Sequence, residues 1–224
     1  MQIDMLLRTK RRSISIQISP EGNLIVRIPI NCSYEKIEKI LKEKEGWITL
    51  HQQRIKENRA VNSQIISYEK ILYLGYTHNL AFTDRIKTAQ FYEGNCWIPI
   101  KFQSDKQKQI KVIAKCLQLK AQGIFRNRVA YFANLMQLKP NSVTLSNSHR
   151  VWGSCDKFSN IKLNWRLVML PPDIIDYVIV HELSHILEFN HSKIFWKVVE
   201  SILADYKTRR NLLKTGDYLL ELYR

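Results

Sequence analysis

Residues 181–196 read HELSHILEFNHSKIFW, which places three of the chain's six histidines within eleven positions and a glutamate beside the first. On a helix, positions four apart lie about 40° apart around the axis. His181 and His185 therefore leave one face a single turn apart, as two ligands of one metal ion require. Glu182 stands about 100° round from His181, too far to share the ion easily but within reach of a water on it. This is the HExxH arrangement of two zinc ligands and a general base. Catalytic zinc keeps three protein ligands and one open position, and His191 supplies the third at neutral charge. The expected complement is one zinc per chain. Zinc would bring the pKa of its water toward about 7 and polarise a scissile carbonyl, while Glu182 takes the water's proton and passes it to the leaving amine. The competing explanation is an amphipathic helix with solvated or core-satisfied histidines. It accounts for one histidine better than for three at this spacing.

The spacing of His181, His185 and His191 equals that of the metzincins, but two features argue against membership. Glu188 stands where metzincins turn the chain on a glycine. The methionines, Met1, Met5, Met136 and Met169, all precede the motif, so no Met-turn follows it. The helix is expected instead to end at Asn190, a residue that tolerates the left-handed conformation. Glu188, three residues from His185, is the next ligand to consider if His191 does not bind, with His149 and Cys155 behind it. Asp176 reads as an acidic residue favouring the helix dipole, or as an acceptor for a ligand histidine.

The elements that must hold these residues are legible in outline. SISIQIS (13–19) and LIVRIPI (24–30) alternate strictly and predict a hairpin turning at Glu21-Gly22-Asn23. Ser33 is placed to cap a helix from about Tyr34 to Asn58, with Ile37, Ile40, Leu41, Ile48 and Ile55 inward. Residues 65–100, rich in Tyr, Phe and Thr, predict short strands broken near Asp84 and Glu93-Gly94-Asn95. Ser104 with Gln107 fits a capping box for a long helix to about Leu138, stopped by Pro140. Its inward stripe is Ile110, Ile113, Leu117, Ala121, Ile124, Phe132 and Leu135. Lys108, Lys111, Lys115 and Arg126 fall on the opposite face. A strand at Val143–Ser146 and a hairpin of HRVWGSC with IKLNWRLVML follow. Pro171-Pro172-Asp173 then opens the histidine helix, apolar almost all round and read through to Glu188. Helices from about Ser192 to Ala204 and from about Lys207 come last.

Composition bounds the rest. A chain of 224 residues that is 45% hydrophobic can bury a core. No apolar run approaches the roughly 18 residues of a membrane helix. The start, MQIDMLLRTKRRS, makes a poor signal peptide, because its charges follow the short apolar stretch. Four scattered cysteines without a CxxC argue against a disulfide framework or a cysteine-built zinc site, and fit a cytoplasmic location. The net charge of +15 divides as +5 over residues 1–60, +8 over 61–140 and +2 over 141–224. A polyanion would be held mainly by the first two thirds, and Lys108, Lys111, Lys115 and Arg126 are the expected nucleic-acid face.

Taken together, WGSC, LNWRL, HELSH and NHSKIFW give residues 150–214 a close resemblance to the YgjP-like metallopeptidases, relatives of the SprT-like and WLM zincins. A looser likeness reaches back to the basic hairpin near residue 10. Val151 departs from the pattern, standing between Arg150 and Trp152. The resemblance implies a domain over residues 8–216 with an α+β fold. A β-rich region with one helix (1–100) would precede a zincin-like core (104–224) of a long helix, a small antiparallel sheet, the HExxH helix and C-terminal helices. It implies zinc on His181, His185 and His191, Glu182 as base, and a protein or peptide as substrate. Substrate would add as a strand beside Trp152, Gly153 and Ser154, or beside the strand ending at Asn164. Tyr206 and Arg209, with Arg210, are candidates to steady the oxyanion; a plain surface arginine pair is the alternative for the last two. SprT-like relatives act on DNA-bound proteins, so a DNA-associated protease or DNA-binding factor is the first rival. A zinc hydrolase of small amides is the second.

Overall fold

The alternating segments near the N-terminus do pair, and a third strand joins them. The structure, a computed structural model, describes residues 3–19, 22–53 and 68–223 and falls into two units, Met1–Ile66 and Ser67–Arg224. In the first, β1 (Met5–Thr9), β2 (Ser15–Ile18) and β3 (Leu24–Pro29) form a sheet in the order β1-β3-β2. β2 pairs antiparallel with β3 as expected, and β1, not foreseen, pairs parallel to it. Every second residue of β3 is buried, so Leu24, Val26 and Ile28 face one core with Ile37, Leu41 and Ile48.

The helix expected over 34–58 is interrupted. α1 (Tyr34–Glu43) stops at Lys44, and α2 resumes over 45–53, with Gly46, a weak helix former, in its first turn. Ser33 stands at the N-cap without a side-chain bond. Glu21, Ile55, Asn58 and Ile65 lie outside the described residues.

The second unit opens with β4 (Lys70–Tyr73), β5 (Tyr76–Thr83), β6 (Gln90–Tyr92) and β7 (Asn95–Pro99), in the sheet order β4-β5-β7-β6. The β4–β5 turn uses two positive φ values, Leu74 at 51° and Gly75 at 83°, as a tight hairpin of this twist requires. Gly75 is needed twice over. A Cβ there would come within 2.9 Å of Pro171 Cγ, because the turn docks on the chain leading into the histidine helix.

α3 (Lys106–Leu135) is the long helix. Its cap is Asp105 rather than Ser104, and the Asp105 carboxylate accepts from the Lys108 amide at 3.0 Å. Ile113, Leu117, Ala121 and Phe132 are buried as expected. Phe125 and Val129 complete the stripe, whereas Ile110 and Ile124 are half-buried and Leu135 is exposed.

β8 (Ser142–Ser146), β9 (Gly153–Cys155) and β10 (Asn160–Asn164) form the small sheet in the order β8-β10-β9. It is mixed: β8 runs parallel to β10, and β9 antiparallel. The extra Val151 is absorbed ahead of β9, whose register sets Gly153 opposite Leu163. IKLNWRL is not one strand. After Asn164 the chain winds into a 3-10 turn, Trp165–Met169, that buries Arg166 completely. The Arg166 guanidinium donates to Asn147 Oδ1 at 2.7 Å and to the Leu222 carbonyl at 2.7 Å, and lies 4.4 Å over the Trp165 ring.

α4 (Pro172–Ser184), α5 (Lys193–Ile202) and α6 (Tyr206–Thr215) follow, and α4 packs against all of α3, α5, α6 and β9. Among the described residues the Asp176 carboxylate meets no ligand histidine. Arg128 of α3 grips it in a two-pronged ion pair, at 2.7 and 2.6 Å, that fastens α4 to α3.

Candidate active site

α4 ends earlier than its apolar pattern suggests. Its last helical residue is Ser184, His185 is the C-cap, and residues 185–187 turn the chain. Asn190 has no left-handed conformation; the reversal is made at His185 instead. The chain then comes back past His191 to Ser192, whose hydroxyl caps α5 by accepting from the Ile194 and Phe195 amides. This early stop brings the third histidine onto the first two.

One ligand nitrogen from each of His181, His185 and His191 lies within 4.8 Å of the others. His191 Nε2 and His181 Nε2 are 3.0 Å apart. His185 Nδ1 meets the Glu188 carbonyl oxygen at 3.2 Å. A carbonyl only accepts, so Nδ1 carries a proton here and Nε2 is the nitrogen left to serve as a ligand. The Glu188 side chain turns elsewhere, with Oε1 accepting from the Asn190 amide. Phe195, fully buried, packs its ring centroid 4.9, 4.6 and 4.8 Å from those of His181, His185 and His191. It is the floor of the cluster, a role its sequence position did not announce.

The donor set suits a metal ion. Two nitrogens about 2.0 Å from a shared tetrahedral ion stand roughly 3.3 Å apart, close to the Nε2 separation found. His181 Nδ1, away from the Nε2 that faces His191, is buried without a partner among the described residues. Burial first, then the charges of His185, His191 and Arg210, push His181 down to about 3, and His191 is also lowered. Both imidazoles are thus held neutral, the form that binds metal.

Glu182 sits beside this cluster in a cavity of about 250 Å³, shared with His181, Gly153, Tyr177 and Arg210. It is 5% exposed, and burial pushes its carboxyl up to about 8. Its carboxylate lies directly on Gly153, where a Cβ would come 2.6 Å from Oε1.

The remaining expected residues divide. Gly153 and Ser154 lie on β9, an edge strand. Trp152 is buried and donates from Nε1 to Asp217 Oδ1 at 2.8 Å. Asn164 is fully buried at the end of the central strand, where its amide donates to the Ser148 and Val151 carbonyls; it shapes the loop before β9 and has no free edge to offer. Tyr206 is buried, its ring stacked on Trp196. Arg209 is held by Asp205 at 2.8 Å and by the Asp173 carbonyl at 3.1 Å. Its neighbour Arg210 lines the cavity, 4.7 Å over the Trp196 ring. His149 is taken up by the Leu220 carbonyl. The Cys155 thiol is pushed up to about 11 by burial and by the charges of Glu182 and Asp156, so it is no ready ligand. Lys108, Lys111, Lys115 and Arg126 are all exposed on α3, with Lys108 paired to Asp105.

The family model for the YgjP-like metallopeptidase domain matches residues 12–216. The chain belongs to the YgjP-like family. It is therefore a metallopeptidase, whose substrates are proteins or peptides, and the histidine cluster lies within the YgjP-like match. No curated protein matches it in sequence. Among solved structures, the crystal structure of the metallopeptidase zymogen of Pyrococcus abyssi abylysin is similar over 41% of this chain and 93% of its own, at 18% identity and a TM-score of 0.39, a likeness too slight to carry an argument. The α+β architecture, with a long helix, small sheet, HExxH helix and C-terminal helices, fits a zincin-like core in this YgjP-like chain. Among the described residues no helix is long and apolar enough to cross a membrane.

Proposed function

We propose that this chain hydrolyses peptide bonds with zinc held by His181, His185 and His191 and with Glu182 as its proton carrier. The observation that carries the reading is the convergence of three imidazoles, one of them lining the cavity that holds the buried Glu182 carboxylate. Bound zinc supplies a Lewis acid for the scissile carbonyl and acidifies water. The rest falls to the chain. Glu182 takes the proton of the attacking water and delivers it to the leaving nitrogen as the C–N bond breaks. Phe195 shuts solvent out beneath the cluster. Arg210, which lines the cavity together with Lys214, is the cation assigned to the developing oxyanion, in place of Arg209.

The substrate backbone adds along the free side of β9, past Gly153 and Ser154. Recognition through main-chain bonds there asks little of substrate sequence. Gly153 brings that backbone close to Glu182, since nothing stands between them. The nucleic-acid reading rests on net charge, the exposed Lys108, Lys111, Lys115 and Arg126, and the resemblance to SprT-like relatives, and no geometry adds to it. The test is Glu182→Gln. It is expected to retain about one zinc per chain by metal analysis and to cleave no peptide in an unbiased library. Undiminished cleavage by the variant rejects Glu182 as the base.

A further inference from the structure

A second cavity, of about 750 Å³, shares no residue with the one beside Glu182. It is a groove between residues 87–91, which lead into β6, and the Lys111–Lys120 face of α3. Phe91, Val112 and Leu119 give it an apolar wall, and Leu119 is 58% exposed. Lys87, Lys111, Lys115 and Lys120 line it as well, all exposed, and no carboxylate does. None of the four pairs with an acidic side chain among the described residues.

β6 is an edge strand, bonded to β7 on one side only. Just before β6, the Cys116 thiol of α3 donates to the Ala89 carbonyl at 3.2 Å and ties the start of the strand to the helix. An unpaired strand edge facing a helix across an apolar groove is the setting in which an extended peptide adds a strand. Side chains of such a strand alternate, so one set meets the apolar wall and the other reaches the lysines. We propose that this groove docks an extended acidic segment of a protein partner, with carboxylates alternating with apolar side chains. Nucleic acid fits less well. Stacked bases need free aromatic faces, but the Phe91 ring already stacks on Tyr73 at 4.6 Å and meets His78 edge-on, and Phe102, the groove's other aromatic, has Lys101 Nζ 5.1 Å over its ring.

The docking does not depend on metal or on Glu182. It is tested on the full chain by fluorescence anisotropy with a labelled peptide of about ten residues alternating Glu with Val and Leu. Two double variants are compared. Lys111→Glu with Lys115→Glu reverses charge inside the groove. Lys108→Glu with Arg126→Glu makes the same change on the same helix outside it. The first is expected to weaken binding by about tenfold or more and the second by less than about threefold. Leu119→Asp, at an exposed position, is expected to weaken it as well. Equal losses for both pairs, equal binding of a peptide with the same residues in separate acidic and apolar blocks, or no binding at all would each overturn the proposal. So would tighter binding of single-stranded DNA that displaces the peptide. Full peptide binding by Glu182→Gln separates this site from the hydrolytic one.

Discussion

The Glu182 carboxylate rests on the α-carbon of Gly153, so close that a methyl group at 153 would come 2.6 Å from Oε1. Strand β9 and helix α4 thus meet at the acid itself, and the glycine sets where the carboxylate can sit. Gly153→Ala must displace it. A misplacement of about 1 Å costs catalysis on the order of 100-fold. The expected result is a kcat lowered by about that factor with zinc content unchanged, measured by peptide hydrolysis and metal analysis on one preparation.

Position 188 is expected to be indifferent to its side chain. His185 Nδ1 donates to the main-chain oxygen of Glu188, not to its side chain. Glu188→Ala keeps that oxygen and is expected to hold zinc as tightly as the natural chain. His191→Ala is expected to lose more than about 100-fold in zinc affinity, beyond the usual effect of losing an outer hydrogen bond. Competition with a chromogenic chelator measures both, and the reverse order would exchange the roles of the two residues.

Adjacent arginines should behave differently. Arg210→Ala is expected to lower kcat by about 100-fold, as loss of an oxyanion donor does, with little change in melting temperature. Arg209 holds Asp205 and the Asp173 carbonyl, so Arg209→Ala is expected to lower the melting temperature with kcat preserved. Steady-state kinetics and calorimetry on the two variants decide it.

Alkaline pH should loosen the second unit. Burial pushes the Cys96 thiol from its ordinary 9.0 up to about 12, and Tyr223 is also raised by burial. A raised folded-state pKa means that the unfolded chain releases its proton first. Stability is therefore full below pH 9 and falls as pH climbs toward 12. Cys96→Ala is expected to flatten part of that decline in melting temperature against pH.

Much of this was readable from the sequence. The histidine spacing, the buried character of α4 and the two hairpins followed from local pattern, because local periodicity determined them. β1 escaped because MLLRT does not alternate, and its parallel pairing with β3 is non-local. The end of α4 is not legible locally, because its apolar run continues to Leu187 while the chain turns at His185, whose ring packs 4.6 Å from that of Phe195 on the next helix. The roles of Arg210, Asp176 and Asn164 depend on partners far away in the chain, which no short window contains.

Arg166 draws on carbonyls 56 and 57 residues further along, at Leu222 and Tyr223. During synthesis this has an order in time. A nascent chain can carry all three histidines and Glu182 for several seconds, at roughly 5–20 residues per second, before those acceptors have been made. Until then the buried guanidinium lacks two of its anchors. The tie between the turn after β10 and residues 222–223 is therefore closed later than any contact among the three histidines.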